Sequence, residues 1–394
     1  MRALFWLLAV FAAAAGLALL GRLDQGYVQF AHGRWRMEMS LLLFGVLVAL
    51  AFAALYLALR LLQHTVSLPA TLRGWRARRR REHAFAALAD GLQSWLEGRY
   101  TRAEKKAEHA FADGAAPGVA AIIAARSAHE LGAPERRAQW LERAAGAGAR
   151  SAGLLSQAVM ALSERDYAGA RDALHSLQGS GARYIAAMRL LLRAERGMRD
   201  WEEVLRITAL LSKRDALSPS LAEEYRIQAH VEVLAQAAQD RAQFEERWRR
   251  VPSRERVNAR VAAAAARHAR SLGLAALSRE ALEKALAAEW DAALAALYGE
   301  LPPMEPAARR AEARLRIERA ERWLPDHPED AQLLAALGRL CAQAELWGKA
   351  QSYLETSLSF SESRATHLEL ARLLDRLERA AEAQPHYRRA AELP

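Results

Sequence analysis

A recurrence of about 34 residues constrains this chain more than any other feature. In "LEGRYTRAEKKAEHA" the frame is Gly98, Tyr100, Ala103, Ala107 and Ala110. It returns one period on as Gly132, Leu141 and Ala144 in "LGAPERRAQWLERAA". Tyr167, Ala170, Leu174 and Leu177 follow one period further, then Trp201, Val204, Thr208 and Leu211 after another. Near the C-terminus Leu337, Ala350, Leu354 and Ser357 recur one period later as Leu370, Ala383, Tyr387 and Ala390. A fixed period of this length marks a stack of small units, none of which can bury its apolar face alone.

Such a period, with small residues at set points, is the tetratricopeptide pattern of paired antiparallel helices. A small residue belongs where the second helix crosses the first closely, as at Ala103, Ala170, Ala350 and Ala383. A larger apolar residue one turn on fills the same face. The middle is less regular: Leu221 to Gly273 is helical by periodicity and broken at Pro252. The segment from Ser278 to Pro303 reads as one more repeat, with Leu282 and Ala285 at its later positions, and Leu324–Asp330 reads as a turn between repeats.

Two uncharged runs precede the repeats, Ala3–Leu20 and Ser40–Leu59. A bilayer core about 30 Å thick takes about 20 helical residues, so each run is long enough to span it. The first is also the shape of a signal peptide; retention as a helix is the expectation here. Seven arginines (60, 73, 76, 78, 79, 80 and 81) follow the second run with no acid between Arg60 and Arg81. That bias places the region after Leu59 on the cytoplasmic side and the loop 21–39 outside.

From His83 onward there are 45 Lys and Arg against 43 Asp and Glu, so the net charge of +10 is a local feature. The stretch "RGWRARRRRE" sits directly after a span, which favours anionic lipid over nucleic acid. Cys341 is the single cysteine, so no internal disulfide or C-x-x-C site is available. Its place in the first helix of a repeat favours buried packing.

The expected fold class is all-α: a membrane hairpin at 1–59 with spans at about 3–20 and 40–59, then a basic linker at 60–82. A tetratricopeptide-like α-solenoid follows over 83–394, with regular blocks at about 83–215 and 274–394 around a divergent middle, 216–273. No phosphate loop, H-E-x-x-H or G-x-S-x-G motif occurs, and no G-x-G-x-x-G follows a strand. The histidines are scattered, with no i, i+4 pair. Trp95, Trp140, Trp201 and Trp347 fall at repeat-core or turn positions. No catalytic, cofactor-binding or metal residue is assigned, and the chain is not expected to be an enzyme.

"RLDQGYVQFAHGRWRMEMS", Arg22–Ser40, departs from this helical pattern. Its alternating apolar residues and its glycines, Gly26 and Gly33, read as a short β-like connection at the membrane interface, with Tyr27 and Trp35 suited to the headgroup belt. With the second span, "TLRGWRARRRR" and the repeats, it resembles the HemY family of proteobacterial inner-membrane proteins over essentially the whole chain. The resemblance implies a role in a late step of protohaem biosynthesis at the inner membrane of a Gram-negative bacterium. Two partners follow as expectations, membrane lipid and the late-pathway enzymes protoporphyrinogen oxidase and ferrochelatase. No cofactor is assigned; a haem or porphyrin carrier is the first alternative, and a general envelope scaffold the second.

Overall fold

A computed structural model describes residues 26–178 and 185–393. The run expected as a first span, Ala3–Leu20, lies outside the described residues. Two strands open the described chain, β1 (Tyr27–His32) and β2 (Trp35–Ser40), paired antiparallel with Tyr27 opposite Ser40 and His32 opposite Trp35. Gly33 and Arg34 form the tight turn. Gly33 sits at φ +60° and Arg34 does not, the pattern of a turn that matches the strand twist. The expected all-α class therefore has one exception: the β-like stretch forms a paired hairpin.

Ser40 then caps a single helix, α1 (Leu41–Leu96), its hydroxyl accepting from the Leu43 amide. The helix runs 56 residues, about 84 Å at 1.5 Å per residue. The linker expected over 60–82 is the middle of α1. The stretch is rich in arginine, alanine and leucine, strong helix formers, and the helix runs on through its two poor ones, Pro69 and Gly74.

Eighteen further helices follow among the described residues. Three share the first compact unit, which ends at Gly148: α2 (Tyr100–Ala112), α3 (Pro117–Glu130) and α4 (Pro134–Gly146). The second unit, Ala149–Pro394, begins with α5 (Arg150–Ser163), α6 (Tyr167–Gln178), α7 (Ile185–Met198) and α8 (Trp201–Ser212). It continues with α9 (Pro219–Gln236), α10 (Arg241–Arg250), the single turn α11 (Ser253–Arg256), α12 (Ala259–Ser271) and α13 (Ala275–Ala288). It closes with α14 (Ala292–Tyr298), α15 (Pro306–Glu321), α16 (Ala331–Gln343), α17 (Trp347–Phe360), α18 (Arg364–Arg376) and α19 (Ala380–Glu392).

The turns inside the helix pairs share one geometry. Gly98, Gly132, Arg165, Arg199, Gly273, Glu345 and Glu378 all have φ between 60° and 75°. The next residue in each case donates its amide to the carbonyl five back, as Arg99 to Ser94, Asp166 to Ala161 and Arg379 to Leu374 (2.8–2.9 Å). This is the left-handed helix stop that satisfies orphan carbonyls. Because Gly273 makes the same turn, α12 pairs with α13 across it, so a regular helix pair already begins inside the segment expected as the divergent middle.

The small positions serve the close crossings they were assigned. Ala103, Ala170, Ala350 and Ala383 are buried. Two glycines on first helices reinforce them: a Cβ on Gly91 would lie 3.3 Å from the Ala107 amide, and one on Gly338 would lie 2.6 Å from Leu354 Cγ. Leu174 and Leu354 fill the larger positions and are buried, but Tyr387 is exposed. Its hydroxyl donates to the Asp375 carboxylate on α18 (2.7 Å).

Each unit has its own cores. In the first, Ala107, Ile123, Ala124, Trp140 and Ala144 cluster. In the second, Phe244, Trp248, Val261 and Ala265 pack the divergent middle, and Leu282, Tyr298, Leu333, Leu337 and Leu354 pack the C-terminal pairs. Arg316 is fully buried among the latter.

Candidate membrane anchor and partner surface

Leu41–Arg60 is the one helix segment among the described residues long and apolar enough to cross a membrane, and none of it is buried in protein. The hairpin leads into it directly. Leu41 donates to the Gly26 carbonyl (3.1 Å), and the Phe30 and Phe44 rings sit 5.5 Å apart.

Strand alternation divides the hairpin into two faces. Val28, Phe30, Met37, Met39 and Trp35 share the face that meets Phe44. Tyr27, Gln29, Arg36 and Glu38 occupy the other, where the Gln29 amide donates to Glu38 at 3.0 Å. Of the two aromatics expected in a headgroup belt, only Trp35 lies on the apolar face; the residue-by-residue alternation puts Tyr27 on the polar one. Past the span, Arg78, Arg79, Arg80 and Arg81 are exposed, and Arg80 reaches Asp113 at 3.1 Å.

In the second unit a groove of about 750 Å³ opens between the ends of α12, α16 and α18 and the starts of α15 and α17. Arg270, Arg309, Arg310 and Arg376 line it, with Leu301, Pro302 and Trp347 as its apolar wall. Arg270 is paired with Glu300, and Arg310 with Glu345 at 2.7 Å. Arg309 donates to the Met304 carbonyl (2.9 Å). The groove thus presents more cation than its own carboxylates neutralise, beside an apolar wall. That combination suits an anionic group carried on an apolar or polypeptide body.

The remaining sequence candidates resolve individually. Cys341 is buried in α16, and burial pushes its thiol up to about 11, far from reactive thiolate chemistry. Trp140 is buried and Trp95 partly so in one cluster, Trp201 is buried in a second and Trp347 is partly buried against a third, so the four form no common box. Among the described residues no three His, Cys, Asp or Glu side chains converge on a metal-sized site.

Two histidines that are far apart in helical spacing do meet. The Nδ1 atoms of His367 on α18 and His386 on α19 lie 3.0 Å apart. Burial, then the neighbouring His386, holds His367 below the usual imidazole range. The groove and this pair both escaped sequence reasoning, because helix stacking brings their members together from separate helices.

The family profile described as HemY protein N-terminus matches residues 26–132. No curated protein sequence matches the chain. Among solved structures it is similar to MamA AMB-1, with 18% identity over 42% of this chain and 96% of that one, TM-score 0.26. Naa15/Naa10 bound to HypK-THB gives 13% identity over 81% and 59%, TM-score 0.33. Pseudomonas aeruginosa pilF gives 12% over 78% and 90%, TM-score 0.22. The repeat assignment accordingly rests on the shared turn geometry and the buried small positions. The matched residues, 26–132, hold the strand hairpin, the span, the arginines, the first helix pair and α3, and over them the chain is similar to the N-terminal part of HemY proteins.

Proposed function

We propose that this protein is a membrane-anchored scaffold acting in a late step of protohaem biosynthesis, where it organises late-pathway enzymes at the inner membrane. The observation that carries the reading is the continuity of α1, in which the membrane span and the first helix of the repeat array are one element. Whatever docks on the first helix pairs is then held at a set distance from the bilayer in which apolar porphyrin intermediates partition. The arginines after the span support an array on the cytoplasmic side, with Arg22–Met39 on the periplasmic side. The N-terminal run supplies a second span, making the anchor multi-pass. Protein partners, including protoporphyrinogen oxidase and ferrochelatase, bind the exposed faces of the repeats.

Capture of the tagged chain from membranes in mild detergent, with identification of co-purified proteins, tests this. Late-pathway enzymes in the eluate support the scaffold; their absence overturns it. A carrier reading draws on one observation, the arginine-lined groove with its apolar wall, which is suited to a carboxylated macrocycle. Haemin titration of the purified chain separates the two. A saturable Soret shift lost in Arg309→Ala supports carriage, and an unchanged spectrum removes it.

A further inference from the structure

At the N-terminal end of the repeat array the exposed positions of α1 between Phe85 and Leu96 are Phe85, Ala86, Ala89, Leu92, Gln93 and Leu96. None carries a charge, in a chain in which 26% of residues do. Phe85 is 56% exposed, Leu92 46% and Leu96 72%. The charged residue within this stretch, Asp90, turns toward α2 and binds Lys106 at 3.0 Å.

Phe85, Ala89, Leu92 and Leu96 follow one another at spacings of four, three and four, the alternation of a helix–helix seam. Their opposite side is already occupied: Ala84, Gly91 and Ser94 are buried. The seam is therefore a second contact face on a helix whose first face is used. Ala89 within it and Ala86 beside it have small side chains, which lets another helix approach closely.

We propose that this seam is covered by the same seam of a second copy, giving a dimer through parallel α1 helices. The choice of occupant rests on the membrane anchoring proposed above. Two copies held in one bilayer leave it in the same direction, so Leu92 of each lies at the same height, about 48 Å along the helix from Arg60. Identical faces at identical heights meet in register about a two-fold axis along the membrane normal. A self-complementary patch is what that symmetry requires. An uncharged stripe also meets itself without like-charge repulsion, a condition the arginine-rich stretch just before it does not satisfy.

Disulfide trapping in intact membranes tests this, using the full chain with Cys341→Ala as background. Leu92→Cys and Leu96→Cys, each placed singly, are oxidised before extraction. The expected result is an adduct at twice the 43.6 kDa chain mass for both. Glu108→Cys, exposed on α2, stays monomeric. Adding Leu92→Glu to Leu96→Cys should abolish the adduct. Chain that sediments with membranes but yields no adduct at either position, or yields one with a different protein, overturns the dimer. Chain recovered in the soluble fraction overturns the anchoring instead, so the two failures are distinguishable.

Discussion

Replacing Arg316 by methionine removes a cation that the C-terminal core is built around. The guanidinium donates to Glu312 at 3.0 Å, to the Tyr298 carbonyl at 2.8 Å, and to the carbonyls of Glu300 and Ala275 at 3.3 Å each. It also lies 5.2 Å from the Tyr298 ring centre. Burial pushes its pKa down, and the Glu312 hydrogen bond and charge pull it back up. Methionine fills much of the volume but donates nothing. Glu312 keeps Arg279 at 3.2 Å, so its charge stays partly compensated, while the Tyr298 carbonyl loses its charged donor. Breaking one side of a buried ion pair costs about 3–5 kcal/mol, and the surviving Arg279 contact puts this case near the low end, about 3 kcal/mol. For a unit of this size each kcal/mol moves the midpoint by about 2–4 °C, so a drop of about 6–12 °C is expected. Thermal unfolding of the detergent-solubilised full chain, followed by tryptophan fluorescence, reads it. Trp323 packs 4.9 Å from Tyr298 and reports locally. The double variant Arg316→Met/Glu312→Leu should recover part of the loss, because it removes both charges together. A single variant within about 2 °C of the parent, or a double variant worse than the sum of the singles, would refute the assigned role.

Gly338→Val puts a branched side chain where even a Cβ meets Leu354 at 2.6 Å, so a loss of about 1–3 kcal/mol is expected in the same melt. Asp330→Ala removes the cap that accepts from the Gln332 and Leu333 amides and the Trp290 indole N–H (2.8–3.1 Å), a loss of about 1–2 kcal/mol that Asp330→Asn should largely restore. His230 is held below the usual imidazole range, first by burial and then by Arg226, against the opposing pull of Glu255. The unfolded chain therefore binds the proton more readily. Stability is full above about pH 6.5 and falls as pH drops below it, and His230→Gln should flatten that fall.

The helical repeats were legible because their determinants are local and periodic. Ala103, Ala170, Ala350 and Ala383 recur in frame, and each is buried where a second helix crosses. The turns were half legible. Gly98 and Gly132 announce a left-handed residue, but Arg165, Arg199, Glu345 and Glu378 adopt the same conformation without the residue type that signals it. Each accepts a local backbone cost, about 1–2 kcal/mol, that the stacked helices hold in place. Arg316 gave no signal, since an arginine in an arginine-rich sequence reads as surface until the fold surrounds it. The groove was equally hidden, because Arg270, Arg309 and Arg376 meet only through stacking. The opening strands were visible as alternation, but the split into a polar and an apolar face needed the register.

The unbroken α1 makes the first unit's orientation a matter of residue counting. An α-helix turns about 100° per residue and repeats its facing after about seven. With Leu41–Arg60 in the bilayer, one residue inserted between Arg60 and Arg78 would swing the Phe85–Leu96 stripe by about 100° around the helix axis. An insertion of about seven residues would nearly restore the azimuth while lifting the stripe by about 10 Å. The short and the long insertion therefore separate compass heading from altitude: partners that read the direction of the first unit fail with the one, and partners that read its distance from the lipid fail with the other.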